Sequence, residues 1–278
     1  MSGSGWKGEL RIAYRREGDT TLALDRHHGP LRVLQRLYPE GPRICHHVLV
    51  HPPGGIVGGD ELTVHLDLAA GSHALLTTPG ATRFYRSGGP TALQTVHARL
   101  DEGARLEWLP LEALAYSGCI AENHFRFELA PGAMMIGWDL MALGLPAAGE
   151  PFLRGSLLQH LEWPGVWLER GRLDAADTAL LDSPLGLAGH RVLGTLWFAS
   201  GSPLGTAEQE ALLDAARAAF ASHPDLPVGA TAPDGRLVVC RLLAHRVEPA
   251  FALWRQVRAC WRSLQWGLAE EAPRIWRT

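Results

Sequence analysis

From position 62 the chain alternates. Leu62, Val64, Leu66 and Leu68 are apolar, while Thr63, His65 and Asp67 between them are polar, the period-two pattern of a strand with one buried face. The pattern then recurs. Residues 66–76, 98–106 and 127–135 each read as an alternating strand, a short turn ending in Gly and a second alternating strand, with turn glycines at Gly71, Gly103 and Gly132. A period of about 30 residues belongs to stacked supersecondary units, none of which buries its apolar face alone. The spacing predicts a mainly β fold, a β-helix-like stack of layered strands from about residue 6 to about residue 196. Residues 44–50, 155–158 and 167–170 add further strands.

The last third changes period. Thr206-Ala207-Glu208-Gln209 has the form of a capping box ahead of Leu212, Leu213, Ala216 and Phe220 at helical spacing. Pro249 can open a second helix that carries Phe251, Trp254, Val257 and Trp261 on one face, with Arg255, Arg258 and Arg262 on others. A strand at 237–243 lies between them. Two α-helices and a strand are thus expected over about 200–278. No stretch is rich enough in Ser, Gly or Pro to separate domains, so residues 1–278 are expected to form one domain.

One segment fits neither period. His51-Pro52-Pro53-Gly54-Gly55-Ile56-Val57-Gly58-Gly59-Asp60 packs two prolines and four glycines into ten residues. Glycine costs roughly 0.5–1 kcal/mol against Ala in a regular element, so each pair here implies either a positive φ or a very close approach of another surface. A phosphate cradle is excluded, because a P-loop needs a Lys after its glycines and the single lysine, Lys7, lies far upstream. The glycines also miss the Gly-x-Gly-x-x-Gly spacing, and a strand rather than a helix follows Asp60.

Two further blocks and a C-terminal one complete a resemblance. Together with the glycine loop, Thr77-Thr78-Pro79-Gly80-Ala81-Thr82-Arg83-Phe84-Tyr85-Arg86-Ser87, Leu106-Glu107-Trp108-Leu109-Pro110 and Pro273-Arg274-Ile275-Trp276 resemble the signatures of the urease accessory protein UreD (UreH) family across essentially the whole chain. Leu111 departs from the pattern, standing where the family usually has Gln, so any hydrogen bond of that amide is absent here or supplied by Glu112. The resemblance implies a non-catalytic scaffold and metallochaperone that binds urease apoprotein and recruits UreF, which holds the GTPase UreG. It implies nickel in transit with no tightly bound cofactor, and, matched residue by residue, a hydrated tunnel lined by Asp60, Thr82, Asp139 and Glu169. Sparse oxygen ligands of this kind would hold nickel weakly enough to release it. Tyr85, Arg86 and Trp276 are candidate partner contacts, since Arg, Tyr and Trp are favoured at interface centres.

Composition narrows the alternatives. Net charge is −3 with 20% charged residues, so nothing suggests a nucleic-acid footprint. No apolar run reaches the ~18 residues of a membrane span, and the polar N-terminal residues do not read as a signal peptide, so a cytoplasmic location is expected. Cys45, Cys119, Cys240 and Cys260 show no Cys-x-x-Cys spacing, which argues against structural zinc and disulfides. Ten tryptophans imply a large core with a minority exposed. Ser117-Gly118-Cys119 offers a nucleophile without a paired base, and no Gly-x-Ser-x-Gly elbow or His-Glu-x-x-His helix occurs. The competing reading is a β-rich, metal-dependent hydrolase using His47, His51 and Asp60, with His47 and His51 on one face of a strand. His27-His28 before Gly29 reads as a turn.

Overall fold

A computed structural model describes residues 5–277. The chain opens with a hairpin of β1 (Lys7–Glu17) and β2 (Thr20–His28), then β3 (Arg32–Val33) and β4 (Ile44–Val50). Three coils follow: β5 (Glu61–Leu68), β6 (His73–Thr77) and β7 (Thr82–Phe84); β8 (Ala92–Leu100), β9 (Arg105–Leu109) and β10 (Ala113–Ala115); β11 (Cys119–Leu129) and the long β12 (Met134–Leu143). Next come β13 (Gly155–Trp163), β14 (Trp167–Asp174), α1 (Thr178–Asp182), β15 (Val192–Ser200), α2 (Thr206–Phe220), β16 (Val228–Asp234), β17 (Leu237–Ala244) and α3 (Val247–Trp266).

The two strands flanking each turn glycine do not pair with each other. β5 pairs in parallel with β1 and β8, whereas β6 pairs in parallel with β4 and β9, so each turn carries the chain from one sheet to the next. Gly71, Gly103 and Gly132 all hold positive φ (68°, 65° and 74°), the left-handed corner that a Cβ disfavours. The corners stack through backbone bonds such as Gly71 N to Glu102 O at 3.0 Å and Met134 N to Ala104 O at 2.9 Å. This is the β-solenoid-like, mainly β architecture expected of the repeat. A seven-stranded sheet (β14-β13-β11-β8-β5-β1-β2) faces a ten-stranded one that runs β16-β17-β15-β12-β9-β6-β4-β3, with β10 and β7 attached beside β12.

Alternation now has a location. Leu62, Val64, Leu66 and Leu68 point between the sheets and are at most 5% exposed, each contributing about 1.5–3 kcal/mol relative to an exposed position. Trp108, Phe125, Phe127, Trp163, Trp167 and Trp197 form an aromatic cluster there, and Gly137 is bare because a Cβ would lie 2.3 Å from the Trp197 ring. A second apolar layer, including Trp138, Trp254 and Trp261, fills the space between the ten-stranded sheet and the helices α2 and α3. Of the tryptophans, only Trp6 is strongly exposed, at 60%.

The C-terminal third differs from expectation in three details. Gly205, not Thr206, is the N-cap of α2, and Glu208 reaches back to its N–H at 3.4 Å. An additional strand, β16, closes the sheet edge: half-buried Val228, Ala230 and Ala232 alternate with exposed Gly229, Thr231 and Pro233, and its register with β17 shifts between Thr231 and Asp234. Arg258 and Arg262 lie on the inner face of α3 with 1% and 0% exposure, because Glu107 on β9 is buried opposite them. Charge pairing therefore overrides the polar–apolar partition that helical spacing alone suggests.

Candidate functional site

The four glycines of the loop divide their work. Gly54 and Gly59 hold positive φ (80° and 94°), while Gly55 and Gly58 accept close neighbours. A Cβ on Gly55 would fall 2.1 Å from Tyr85 Cε2, and one on Gly58 would fall 2.0 Å from Ser87 Oγ and 2.6 Å from the Pro90 carbonyl. The loop is thus moulded against the Thr82–Ser87 block. Ile56 and Phe84 form a parallel bridge, with Ile56 N on Arg83 O at 2.7 Å and Tyr85 N on Ile56 O at 2.9 Å.

A cavity of about 290 Å³ opens beside this bridge. At its mouth stand His51, Gly54, Gly55, the bend from Thr78 to Arg83, and Pro110 with Leu111. Those bends are where β6 turns into β7 and β9 into β10, so the ladder is interrupted and the interior is reachable. Leu111 presents an apolar side chain here and only its backbone N–H as a donor, to Thr78 Oγ1 at 2.9 Å. Burial raises the Glu112 carboxyl above its usual range, and Glu248 adds to the effect.

The inner end is polar. Register places Gln94, Asn123 and Gln159 side by side on β8, β11 and β13, on the face that points between the sheets. Their amides form a directed chain: Gln94 Nε2 donates to Asn123 Oδ1 (3.0 Å), Asn123 Nδ2 to Gln159 Oε1 (3.1 Å), and Gln159 Nε2 to Asp139 Oδ2 (2.7 Å). Asn123 Nδ2 also lies 3.4 Å from Asp139 Oδ1. Asp139, on β12 across the core, lines the cavity with Gln94 and Asn123 against Trp108, Phe125 and Trp197. Burial, reinforced by the nearby Glu169 charge, pushes its carboxyl up to about 7 against the pull of the Gln159 hydrogen bond.

Beyond Asp139 the polar line continues. Thr195 on β15 pairs in register with Asp139 on one side and Arg241 of β17 on the other. Its Oγ1 donates to Glu169 Oε1 at 2.9 Å, and Arg241 grips Glu169 Oε2 through Nε at 2.8 Å and Nη2 at 2.5 Å. Thr82 and Asp139 therefore line the cavity itself, and Glu169 lies past its inner end.

Asp60 sits at the loop's base. It is 6% exposed, and its two oxygens accept the Trp6 N–H (2.8 Å) and the Val57 N–H (3.0 Å). His51, at the mouth, is the neighbour it influences: burial lowers the imidazole and the Asp60 charge opposes that. His47 lies deep between the sheets at 0% exposure, its Nδ1 2.7 Å from the Tyr14 hydroxyl, and burial pushes it down to about 4. Among the described residues no three His, Cys, Asp or Glu side chains are grouped to hold a metal ion, so His47, His51 and Asp60 do not assemble as the hydrolase reading requires. Cys119 is buried, and burial raises its thiol to about 11, the wrong direction for a nucleophile.

Tyr85 packs edge-on to Tyr116 at 4.9 Å, and exposed Arg86 passes over Gly118, where a Cβ would meet its Cγ at 2.8 Å. Trp276 is half-buried within the chain: its Nε1 donates to Thr77 Oγ1 (2.8 Å) and its ring rests on Trp138 (5.5 Å) and Phe251 (5.2 Å). The amide chain, Thr195 and Arg241 were not singled out from the sequence. A signal existed, since Gln94, Asn123 and Gln159 each occupy an apolar position of an alternating strand, Asn123 between Ala121 and Phe125.

The chain matches the family described as UreD urease accessory protein over residues 7–277. It is 65% identical to the urease accessory protein UreD of Leptothrix cholodnii over 276 residues, covering 98% of this chain and 99% of that protein. Identity to the proteins of the same description is 57% in Polaromonas sp. over 272 residues and 58% in Variovorax paradoxus over 274, each covering 98% of this chain and 99% of the relative. The chain belongs to the UreD family of urease accessory proteins.

Proposed function

We propose that this chain serves urease maturation as a non-catalytic scaffold and nickel conduit. It binds urease apoprotein and recruits UreF, and through UreF the GTPase UreG that supplies the ion. Nickel is cargo here, entering at the mouth beside Thr82 and passing to Asp139 and then Glu169, while Asp60 holds the loop that shapes the mouth. Tyr85, Arg86 and the segment around Trp276 belong to the partner-contact part of this proposal, and the cytoplasm is its setting. No helix among the described residues is long and apolar enough to cross a membrane.

The observation that carries the reading is a cavity that begins at a Thr hydroxyl and ends at one half-buried carboxylate in a bed of amides. Oxygen donors suit a divalent cation, and a single carboxylate with neutral amides holds one without trapping it. Raised to about 7, Asp139 can exchange a proton for a cation near neutral pH.

Co-expression of the tagged chain with urease structural subunits and UreF, followed by size-exclusion chromatography and metal analysis, tests this. A stable complex containing urease apoprotein, with little metal on the tagged chain alone, is the expected result. A chain that ignores both partners while carrying one metal ion per molecule overturns it.

A further inference from the structure

Past the inner end of the cavity, beyond Asp139, stands a cation that belongs to the protein. Arg241 holds Glu169 with Nε and Nη2 on one oxygen, while Thr195 occupies the other. Asp139, Thr195 and Arg241 are consecutive register partners across β12, β15 and β17, so the guanidinium stands directly downstream of the Asp139 carboxylate. A divalent ion moving from Asp139 to Glu169 arrives at a carboxylate that already carries this positive charge. Like charges at such a point repel, and the second carboxylate is already neutralised.

Three features make Arg241 a movable closure rather than a fixed strut. Its side chain is 48% exposed and that of Glu169 is 29% exposed, so water reaches the pair and can take over either partner. Among the described residues its ion pairing is to Glu169 alone, unlike Arg262, which is held by both Glu107 and Glu40. Glu169 itself sits on β14, the edge strand of its sheet, where a docking partner has access.

We propose that Arg241 is a tethered cation that closes the inner end of the conduit, and that a divalent ion leaves Asp139 only when the guanidinium swings off Glu169 into solvent. This rests on the conduit reading above. Partner docking on the β14 edge would bias that swing, coupling release to the presence of the acceptor.

The test measures the first-order rate of nickel incorporation into urease apoprotein within the full assembly. Arg241→Gln and Arg241→Met are compared with Arg241→Lys, Asp139→Asn and the unaltered chain, all checked for equal complex assembly. Arg241→Gln and Arg241→Met are expected to load roughly two- to fivefold faster, the range set by loss of a half-exposed ion pair. Arg241→Lys restores the slower rate, and Asp139→Asn slows loading in either background. Unchanged or slower loading in both neutral variants, with Asp139→Asn still slow, overturns the closure and leaves the conduit standing. Unchanged loading in Asp139→Asn as well removes the conduit and the closure together.

Discussion

Glu107 and Arg258 stand 151 positions apart in the chain and meet at 2.6–2.7 Å, both shielded from solvent. Glu107 also binds Arg262 Nε at 3.0 Å, and Arg262 continues to Glu40, so one carboxylate on β9 fastens α3 to the outside of the solenoid. The two guanidiniums go on to the Glu271 and Ala269 carbonyls, which pins the segment after the helix. Burial pushes the Glu107 carboxyl up, but Arg258, the His73 hydrogen bond and Arg262 overcome it and hold the group well below the carboxylate range. Glu107→Ala leaves Arg258 buried without a counter-charge and is expected to cost about 3–5 kcal/mol in urea denaturation. Because the folded group titrates lower than the unfolded one, its stabilisation is present above about pH 4.5 and is lost as pH falls below it. A wild-type chain whose stability declines through that window, beside a Glu107→Gln chain with a shallower decline, is the result that supports this account.

Asp139 carries the opposite sign. Its folded carboxyl is raised to about 7, so between about pH 4 and about pH 7 the folded chain holds a proton that the unfolded chain has released. Stability attributable to this group is therefore full below the unfolded value, falls as pH rises through the window and is flat above it. Asp139→Asn removes the penalty. Melting temperatures of the two chains should coincide near pH 4 and separate progressively towards pH 7, with the Asn chain higher; parallel curves would show that the carboxyl titrates in its ordinary range.

Substitution in the glycine loop should follow the division between conformation and contact. Gly58→Ala drives a methyl group into Ser87 Oγ and the Pro90 carbonyl, and the backbone atom cannot rotate away. A loss of about 1–3 kcal/mol is expected, as for other overpacked sites. Gly80→Ala, at the mouth, meets nothing within 4 Å and has no positive φ, so its melting temperature should stay at the wild-type value.

These contrasts mark what was legible in the chain. Paired glycines announced a positive φ or a close approach, and the loop uses both, because glycine is costly wherever neither is needed. Turn glycines at a fixed period gave the stack, since a left-handed corner recurs at every coil. Which sheet each strand joins was not legible: an alternating strand before a Gly turn looks the same whether it folds back as a hairpin or crosses to a facing sheet. Arg258 and Arg262 were placed on the wrong face for a related reason. Helical spacing sorts residues by polarity, whereas their burial depends on Glu107 in a strand some 150 residues earlier. The amide chain was legible in part, as polar intrusions at apolar positions, but its convergence on Asp139 depends on the facing of two sheets.

Asp60 and Thr82 are separable by experiment because their environments differ. Asp60 gives both oxygens to backbone N–H groups, and Asp60→Ala orphans those donors in a buried loop, at roughly 1–3 kcal/mol for each. Thr82 is half-buried at the mouth, on a strand whose backbone bonds do not depend on its side chain. Thr82→Arg adds bulk and positive charge to the entrance, so it is expected to lower the nickel content of co-expressed urease while the complex still forms, and Thr82→Ser should load normally. Asp60→Ala, by contrast, should show a lowered melting temperature first, with any loading defect recovered at reduced temperature where the loop is held. Full loading by Thr82→Arg would mean that the ion does not enter at this mouth. A loading defect in Asp60→Ala at unchanged stability would give its carboxylate a direct part in transport, beyond the two hydrogen bonds it accepts.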